Sequence, residues 1–194
     1  MTEPLTEPAD HTGPAGPVIR EAVPADAAGI ARTHVLSREA AMPYLPPRKR
    51  TDAQVEAWVR DVVLAKATVW VAETADGIVG YAAVEDDLLD ALYLLPGTRR
   101  QGIGTLLLRR AQAHRPGGLS LFVFQRNTDA RAFYTHHGFT VADTDDGSRN
   151  MEHEPDMTMR WEPRPAPEEL ADGLAARDPG PAGTRATAPE ETRP

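Results

Sequence analysis

A segment that joins an apolar strand pattern to an apolar helix pattern could bind a phosphate group. It places Gly102 and Gly104 at the start of the helix, where unpaired backbone N–H groups and a partial positive charge favour an anion. Because neither glycine has a side chain, we expect both to leave the path to this point clear for a phosphate. Arg99 and Arg100 add positive charge beside this point. The same residues also suit a tight turn with exposed arginines, so the pattern alone leaves both interpretations open. The residues that such an anion site would use are Arg99, Arg100, Gln101, Gly102, Ile103, Gly104 and Thr105.

Two other phosphate-binding motifs do not fit this segment. Gly97 and Gly102 have the glycine spacing of a P-loop, but Ile103 stands where that motif needs lysine. A dinucleotide-binding fingerprint would need its third glycine at Leu107. The sequence therefore disfavours an ATPase and a dehydrogenase.

The elements around the segment alternate between helix and strand patterns. Helices are expected from Pro24 to Ala41, after the capping box of Thr51 and Gln54, from Ile103 to Ala111 and after Asn127 or Thr128. Strands are expected in a hairpin around Asp76-Gly77, from Leu88 to Leu95, from Leu119 to Phe124, over residues 139–141 and from Met157 to Trp161. This order predicts a mixed αβ fold of the α+β class with a mostly antiparallel sheet. The strands that flank the helix at residue 103 should be parallel, because a helix connects them.

Two segments together resemble the acetyl-CoA-binding motifs of the GNAT superfamily of N-acetyltransferases. The first runs from Arg99 to Gly104 with the pattern Arg-x-x-Gly-x-Gly. The second runs from Asn127 to Phe139 with the pattern Asn-x-x-Ala-x-x-Phe-Tyr-x-x-x-Gly-Phe. Their occurrence in this order is more specific than either motif alone, and the resemblance covers about residues 18–161. It implies a GNAT-like central sheet with a splayed parallel strand pair and flanking helices.

The resemblance implies how acetyl-CoA would lie in the protein. In GNAT enzymes pantetheine pairs with strand backbone exposed between the splayed strands, which would here be that of Leu92, Tyr93 and Leu94. A bulge in this strand would free an N–H group toward the thioester oxygen. Asn127 would hold a cofactor amide while also capping its helix. Direct transfer in a ternary complex, without an acetylated enzyme, suits a chain that has no cysteine.

The resemblance also indicates the groups that would move protons. Tyr134 is the predicted general acid, which would protonate the departing thiolate of coenzyme A. Because adjacent helix positions point in different directions, we expect Phe133 in the core and Tyr134 at a cleft. The alternative is a core tyrosine paired with Phe133.

The general base has several candidates. Some family members place a glutamate five residues before the asparagine, where this chain has Phe122. Asp90, at the start of the strand that enters the phosphate-binding segment, is the predicted base. The alternatives are a water relay and an amine that arrives already neutral, and the rival carboxylates are Glu85, Asp86 and Asp87.

The acceptor would be a primary amine on a small molecule, a peptide or a protein. Its binding surface should come from the first two helices, the Met42–Pro46 connection and the loop over residues 143–156. Arg48, Lys49 and Arg50 could attract an anionic group, and Glu85 or Glu152 a cationic amine. A non-catalytic acyl-CoA-binding module on the same fold is the second hypothesis, motivated by Phe122. The expected protein is a monomer or a homodimer.

The ends of the chain differ in composition from its centre. Residues 1–17 contain four prolines and no lysine or arginine, and residues 162–194 contain seven prolines. These stretches are predicted to be disordered tails on either side of one N-acetyltransferase domain at residues 18–161. Each tail carries a net charge of −3, which leaves −2 of the total −8 for the domain.

Composition excludes several functional classes. Without cysteine there is no disulfide, thiolate metal site or cysteine nucleophile. The acidic balance disfavours nucleic acid as a partner. No apolar run long enough to span a membrane and no signal-peptide pattern occur, so a soluble cytoplasmic protein is expected.

His136 and His137 are neighbours that diverge on a helix, so they are predicted to be surface residues and no metal is expected.

Overall fold

Most of the predicted helices and strands are present in the computed structural model, which describes residues 16–163. The predicted tails lie outside these residues, apart from two residues at each inner edge. The strands are β1 (Val18–Glu21), β2 (Thr68–Thr74), β3 (Gly77–Glu85), β4 (Leu88–Leu94), β5 (Leu119–Phe124), β6 (Thr140–Asp145) and β7 (Asp156–Trp161). The helices are α1 (Ala27–Ala41), α2 (Asp52–Trp58), α3 (Leu64–Lys66), α4 (Ile103–His114) and α5 (Thr128–His136). A π-helical turn (Val59–Val63) joins α2 to α3.

The strands form one seven-stranded sheet in the order β1-β2-β3-β4-β5-β7-β6. Every neighbouring pair is antiparallel except β4 and β5, which are parallel. The predicted mixed and mostly antiparallel sheet is therefore confirmed. The parallel pair shares a single register position, Leu88 opposite Ser120, near the start of both strands. Beyond this point the two strands diverge, as the resemblance implies.

Two elements differ from the predictions because contacts with distant residues stabilise them. Strand β1 is absent from the predicted elements, and it forms by pairing with β2, with Arg20 bonded to Glu73 and Asp26 at 2.7 Å each. Strand β6 continues to Asp145, into a stretch whose turn-forming residues predict a loop. It pairs there with β7, up to Asp145 opposite Asp156.

Side chains alternate between the two faces of the sheet and build a core on each. In β2, Val69 and Val71 contact the core under α1 and α2, whereas Trp70 and Ala72 belong to the core under α4 and α5. The cleft described below opens where β4 and β5 leave a gap between these layers. None of the helices within residues 16–163 has the length and the apolar run needed to cross a bilayer.

Candidate active site

A cleft of about 1230 Å³ is lined by both diverging strands. Its other walls come from α1, the segment between α1 and α2, α2, α5 and the loop between β6 and β7. The lining residues used below are His34, Arg38, Asp90, Leu92, Tyr93, Phe122, Asn127, Tyr134 and Glu152. The walls include the first two helices, the connection after α1 and the late loop that the sequence assigns to acceptor binding.

Strand β4 carries a bulge at Asp90. In the pairing with β3, Leu89 lies opposite Val84 and Ala91 opposite Ala83, so Asp90 is the extra residue. The bulge expected in this strand is therefore present, and it coincides with the predicted general base. Loss of water around the Asp90 carboxyl in the cleft, together with the nearby Glu85, raises its pKa above the usual value.

The backbone amides after the bulge point alternately toward β3 and toward the gap between β4 and β5. The Leu95 N–H donates to the Val79 carbonyl of β3 at 2.8 Å, and strand alternation turns the Tyr93 amide the same way. The amides of Leu92 and Leu94 point to the opposite side, where β5 has diverged. Of the three backbone units expected to face the gap, those of Leu92 and Leu94 do so. That of Tyr93 belongs to the β3–β4 ladder, which corrects the prediction.

The start of α4 leaves backbone N–H groups for an anion. Gly102 caps the helix in the left-handed conformation, with φ at +81°. The Leu106 N–H bonds to the Gly102 carbonyl at 3.1 Å, which leaves the N–H groups of Ile103, Gly104 and Thr105 without helical partners. A Cβ on Gly102 would meet no atom within 4 Å, so the approach to this turn is open.

The absence of a side chain at Gly104 serves helix packing and not, as predicted, the approach of a phosphate. Gly104 is buried, and a Cβ at this position would lie 3.3 Å from the Leu94 side chain and 3.4 Å from the Phe133 ring. The glycine therefore allows α4 to pack closely against β4 and α5. The expectation that both glycines clear a path for phosphate is corrected for Gly104, although its N–H remains at the open helix end.

The three polar side chains before α4 differ in the hydrogen bonds that they make to the rest of the protein. Arg99 reaches the Ser37 carbonyl of α1 at 3.5 Å, whereas Arg100 is exposed and has φ at +62°. The Gln101 side-chain amide donates to the Gly97 carbonyl at 3.1 Å, which braces the turn. Arg100 is thus the cation that extends most freely beside the open helix end.

Tyr134 is more deeply placed than predicted. It is 8% exposed and packs on Phe139 in the core, while Phe133, expected inside, is only partly buried. The predicted division between a core Phe133 and a cleft-facing Tyr134 is therefore wrong as stated, because Tyr134 both packs in the core and lines the cleft. Burial, with a smaller effect of Tyr93, raises the pKa of Tyr134 well above the usual value. The phenol therefore stays protonated at neutral pH, as a proton donor must.

Asn127 caps α5 and borders the cleft. Its side-chain oxygen accepts the Ala130 N–H at 3.2 Å. Because the cap uses the oxygen, the NH₂ group of the same side chain remains to donate to a ligand carbonyl.

His137 links α5 to the start of α4 and corrects the expected surface position. Its Nδ1 lies 2.8 Å from the Phe133 carbonyl and its Nε2 lies 3.1 Å from the Thr105 hydroxyl. Since a carbonyl only accepts, Nδ1 is the donor in its bond to Phe133. Among the described residues, no group of three or more histidine, cysteine or acidic side chains is arranged to hold a metal ion.

His34 was not a candidate in the sequence, although it is a polar residue on the apolar face of α1. Its Nδ1 lies 2.8 Å from the Tyr81 hydroxyl, and its ring lies 4.9 Å from that of Tyr93 and 5.4 Å from that of Trp58. Burial among these rings lowers the pKa of His34 to about 4, with smaller effects of two nearby arginines. His34 is therefore neutral at physiological pH.

Two arginines form ion pairs on the wall that the sequence assigns to the acceptor. This wall, made of α1, the segment 42–50 and the β6–β7 loop, is called the acceptor side below. Arg38 of α1 pairs with Glu152 of the β6–β7 loop at 3.3 Å. Arg126 pairs with Glu154 of the same loop at 3.3 Å and lies 4.3 Å from the centre of the Tyr44 ring. Side chains from four separate segments thus define this wall, so no single sequence motif could have predicted it.

Comparison with known proteins agrees with this geometry. Residues 65–141 match the family model described as an acetyltransferase (GNAT) domain. Over 90 residues the chain is 40% identical to the peptidyl-lysine N-acetyltransferase YjaB of Salmonella typhimurium, a match that covers 46% of this chain and 61% of that protein. The chain thus spans less than two thirds of that relative.

Two solved structures share the fold. The apo form of YjaB from Escherichia coli has a TM-score of 0.61 and 24% identity, and the match covers 76% of this chain and 99% of that one. The PaiA N-acetyltransferase from Thermoplasma acidophilum in complex with coenzyme A has a TM-score of 0.57 and 18% identity, with 76% and 99% covered. The chain shares the fold of these two proteins, and its residues 65–141 match the GNAT domain model.

Proposed function

We propose that this protein transfers an acetyl group from acetyl-CoA to a primary amine. The observation that carries the proposal is that β4 diverges from β5 and is followed by the open N-terminus of α4. Extended backbone at Leu92 and Leu94 suits the amides of pantetheine, and the N–H groups at the helix start suit a pyrophosphate. A relative in fold that was solved with coenzyme A supports the same ligand.

Transfer would proceed in a ternary complex. The amine nitrogen attacks the thioester carbonyl carbon, a C–N bond forms and the C–S bond breaks. A backbone N–H at the bulge stabilises the negative charge on the carbonyl oxygen. The Asp90 carboxylate, whose raised pKa makes it a stronger base than an ordinary aspartate, takes the amine proton. The Tyr134 hydroxyl, still protonated, donates its proton to the departing thiolate and recovers one from solvent.

We infer that the acceptor amine is a lysine side chain of a peptide or protein. The name of the relative that shares 40% identity supports this acceptor. The cleft is wide, and its acceptor wall is formed by exposed connections, which leaves room for a chain segment around the lysine.

Release of the free thiol of coenzyme A tests the proposal, and the cysteine-free protein contributes no thiol of its own. Acetyl-CoA is offered with lysine-containing peptides and, in parallel, with the same peptides whose lysine is already acetylated. We expect thiol release only with the free lysine. If coenzyme A raises the melting temperature but no amine is acetylated, the protein is a binding module and the proposed activity is wrong.

Initial rates over a grid of both substrate concentrations test direct transfer. A ternary complex gives intersecting lines in double-reciprocal plots. Parallel lines would indicate an acetylated enzyme and contradict the proposed order of steps.

A further inference from the structure

His34 occupies the acceptor side of the cleft, and the proposed mechanism assigns it no role. The apolar neighbours of its face of α1, Ile30 and Ala31, are buried in the core, whereas His34 is only partly buried and lines the cleft. A polar ring at this position has one nitrogen bonded inward and one left for a ligand.

The inward bond determines which nitrogen carries the hydrogen. Tyr81 is 1% exposed, and the hydrogen bond of its hydroxyl within the described residues is the one to His34 Nδ1 at 2.8 Å. A buried hydroxyl hydrogen needs an acceptor, and the neutral imidazole nitrogen is the one in place. Tyr81 therefore donates to Nδ1, and the hydrogen of His34 is on Nε2.

The Nε2–H group is available in the cleft. Within residues 16–163, the Tyr44 hydroxyl is the one side-chain polar atom that is buried without a hydrogen-bond partner. Among the same residues His34 bonds through Nδ1, and its Nε2 has no hydrogen-bond partner. Since Nε2 is not a buried atom of this kind, it is in contact with the cleft space. The group is a neutral donor on the cleft wall that the acceptor would contact under the proposed function.

The charges around His34 favour an electron-rich oxygen as the partner of this donor. Arg38 and Arg50 lie close enough to the ring that their positive charges add to the effect of burial in lowering its pKa. Arg38 is paired with Glu152 at 3.3 Å, which offsets part of its charge. An amide carbonyl oxygen is partly negative and carries no net charge, so it suits this position without displacing Glu152.

We propose that the Nε2–H of His34 donates a hydrogen bond to an amide carbonyl oxygen of the acceptor, and so selects amines that are part of a peptide. This inference rests on the proposed acetyltransferase function and deepens it. His34 acts as a specificity-determining residue rather than as a base.

Two amines with the same alkyl chain separate this role from catalysis. Nα-acetyl-lysine methylamide has an amine and amide carbonyls, whereas n-pentylamine has the amine alone. His34→Leu removes the donor, and His34→Gln restores an N–H at a similar distance from the backbone. We expect kcat/KM for the amide substrate to fall roughly 3- to 10-fold in His34→Leu and to recover in His34→Gln, as suits one neutral hydrogen bond. The value for pentylamine should stay the same.

Each result of this comparison has one meaning. If the wild-type protein acetylates neither amine, the proposed function fails. If it acetylates both and His34→Leu lowers both values equally, the proposed function stands and the role of His34 is wrong.

Nitrogen-15 NMR of labelled histidine supplies a readout that needs no turnover. With His34→Gln used to assign the signal, wild-type His34 should show a protonated Nε2 and an unprotonated Nδ1 near neutral pH. Tyr81→Phe removes the donor to Nδ1 and should give a mixture of the two tautomers. A protonated Nδ1 in the wild type would overturn the inference even if the protein failed to turn over any amine.

Discussion

The two sides of the cleft present different kinds of chemical group. The donor side, made of β4 after the bulge and the start of α4, offers backbone N–H and C=O groups held by a strand and a helix. The acceptor side, made of α1, the segment 42–50 and the β6–β7 loop, offers side chains that bond to one another. Backbone groups change only when the path of the chain changes. Side chains can be replaced singly, so we expect large losses from backbone changes on the donor side and small, separable losses on the acceptor side.

Gly102→Glu should have the largest effect. A side chain at φ +81° costs about 1–2 kcal/mol, and its carboxylate would face a pyrophosphate at the open helix end. Like charges in contact cost several kcal/mol, so we expect coenzyme A to bind at least about 100-fold more weakly. Titration calorimetry measures this loss. Gly117→Glu, also in open space but after α4, is the matched control and should bind normally.

Tyr134→Phe should lower kcat about 100-fold, as expected for loss of a general acid, and leave the KM for acetyl-CoA nearly unchanged. The ring and its packing on Phe139 remain, so the melting temperature should stay close to that of the wild type. Steady-state kinetics with a lysine peptide measures the effect. Tyr93→Phe removes another hydroxyl next to the cleft and serves as the control. An unchanged kcat in Tyr134→Phe would remove the acid assignment.

Asp90→Asn should lower kcat/KM about tenfold, because water can replace part of its role as base. In the wild type the rate should fall as pH drops through the raised pKa of Asp90, and the variant should lose this dependence. Asp87→Asn, in the exposed turn before β4, is the control. Equal pH profiles for Asp90→Asn and the wild type would exclude Asp90 as the base.

The same variant should be more stable than the wild type at neutral pH. A carboxyl whose pKa is raised on folding favours the folded state below its ordinary pKa, and this contribution is lost as pH rises through the folded value. Asparagine carries no such charge, so the difference in melting temperature should shrink toward low pH. Greater stability together with lower activity would mark Asp90 as a group retained for function.

Arg38→Ala and Glu152→Ala should each raise the KM for a peptide acceptor a few-fold and leave the KM for acetyl-CoA unchanged. Their pair joins α1 to the β6–β7 loop at 3.3 Å. A partly exposed ion pair contributes about 0.2–1 kcal/mol, which a double-mutant cycle on the free energy of unfolding can measure. A matching loss of acetyl-CoA affinity would contradict the separation of the two sides.

Gly104→Ala should have the smallest effect. A Cβ would press on the Leu94 side chain and the Phe133 ring at 3.3 and 3.4 Å, and the gain in helix propensity offsets part of that cost. We expect a loss of about 1 kcal/mol or less in the free energy of unfolding and unchanged binding of coenzyme A. Weakened binding like that of Gly102→Glu would show that both glycines serve ligand access.

The donor side could be predicted because its chemistry follows from local pattern. A strand that leads into glycines and then into an apolar helix specifies an open helix end, and the capping role of Asn127 follows from its residue type. The resemblance to the GNAT superfamily implied a bulge in this strand, although only the pairing of β3 with β4 located it at Asp90.

The acceptor side could not be predicted because its contacts join residues far apart in the chain. The bond of His34 to Tyr81 and the pair of Arg38 with Glu152 depend on how α1 packs on the sheet. The depth of Tyr134 likewise depends on its packing against Phe139 after the helix ends. A polar residue on an apolar helix face was the one available signal for His34.

Amide hydrogen exchange with and without coenzyme A tests the difference between the two sides most directly. The account predicts slower exchange at Leu92, Leu94 and the N–H groups of residues 103–105, and unchanged exchange in the loop between β6 and β7. Protection confined to that loop, with none at the start of α4, would contradict the assignment of the donor side.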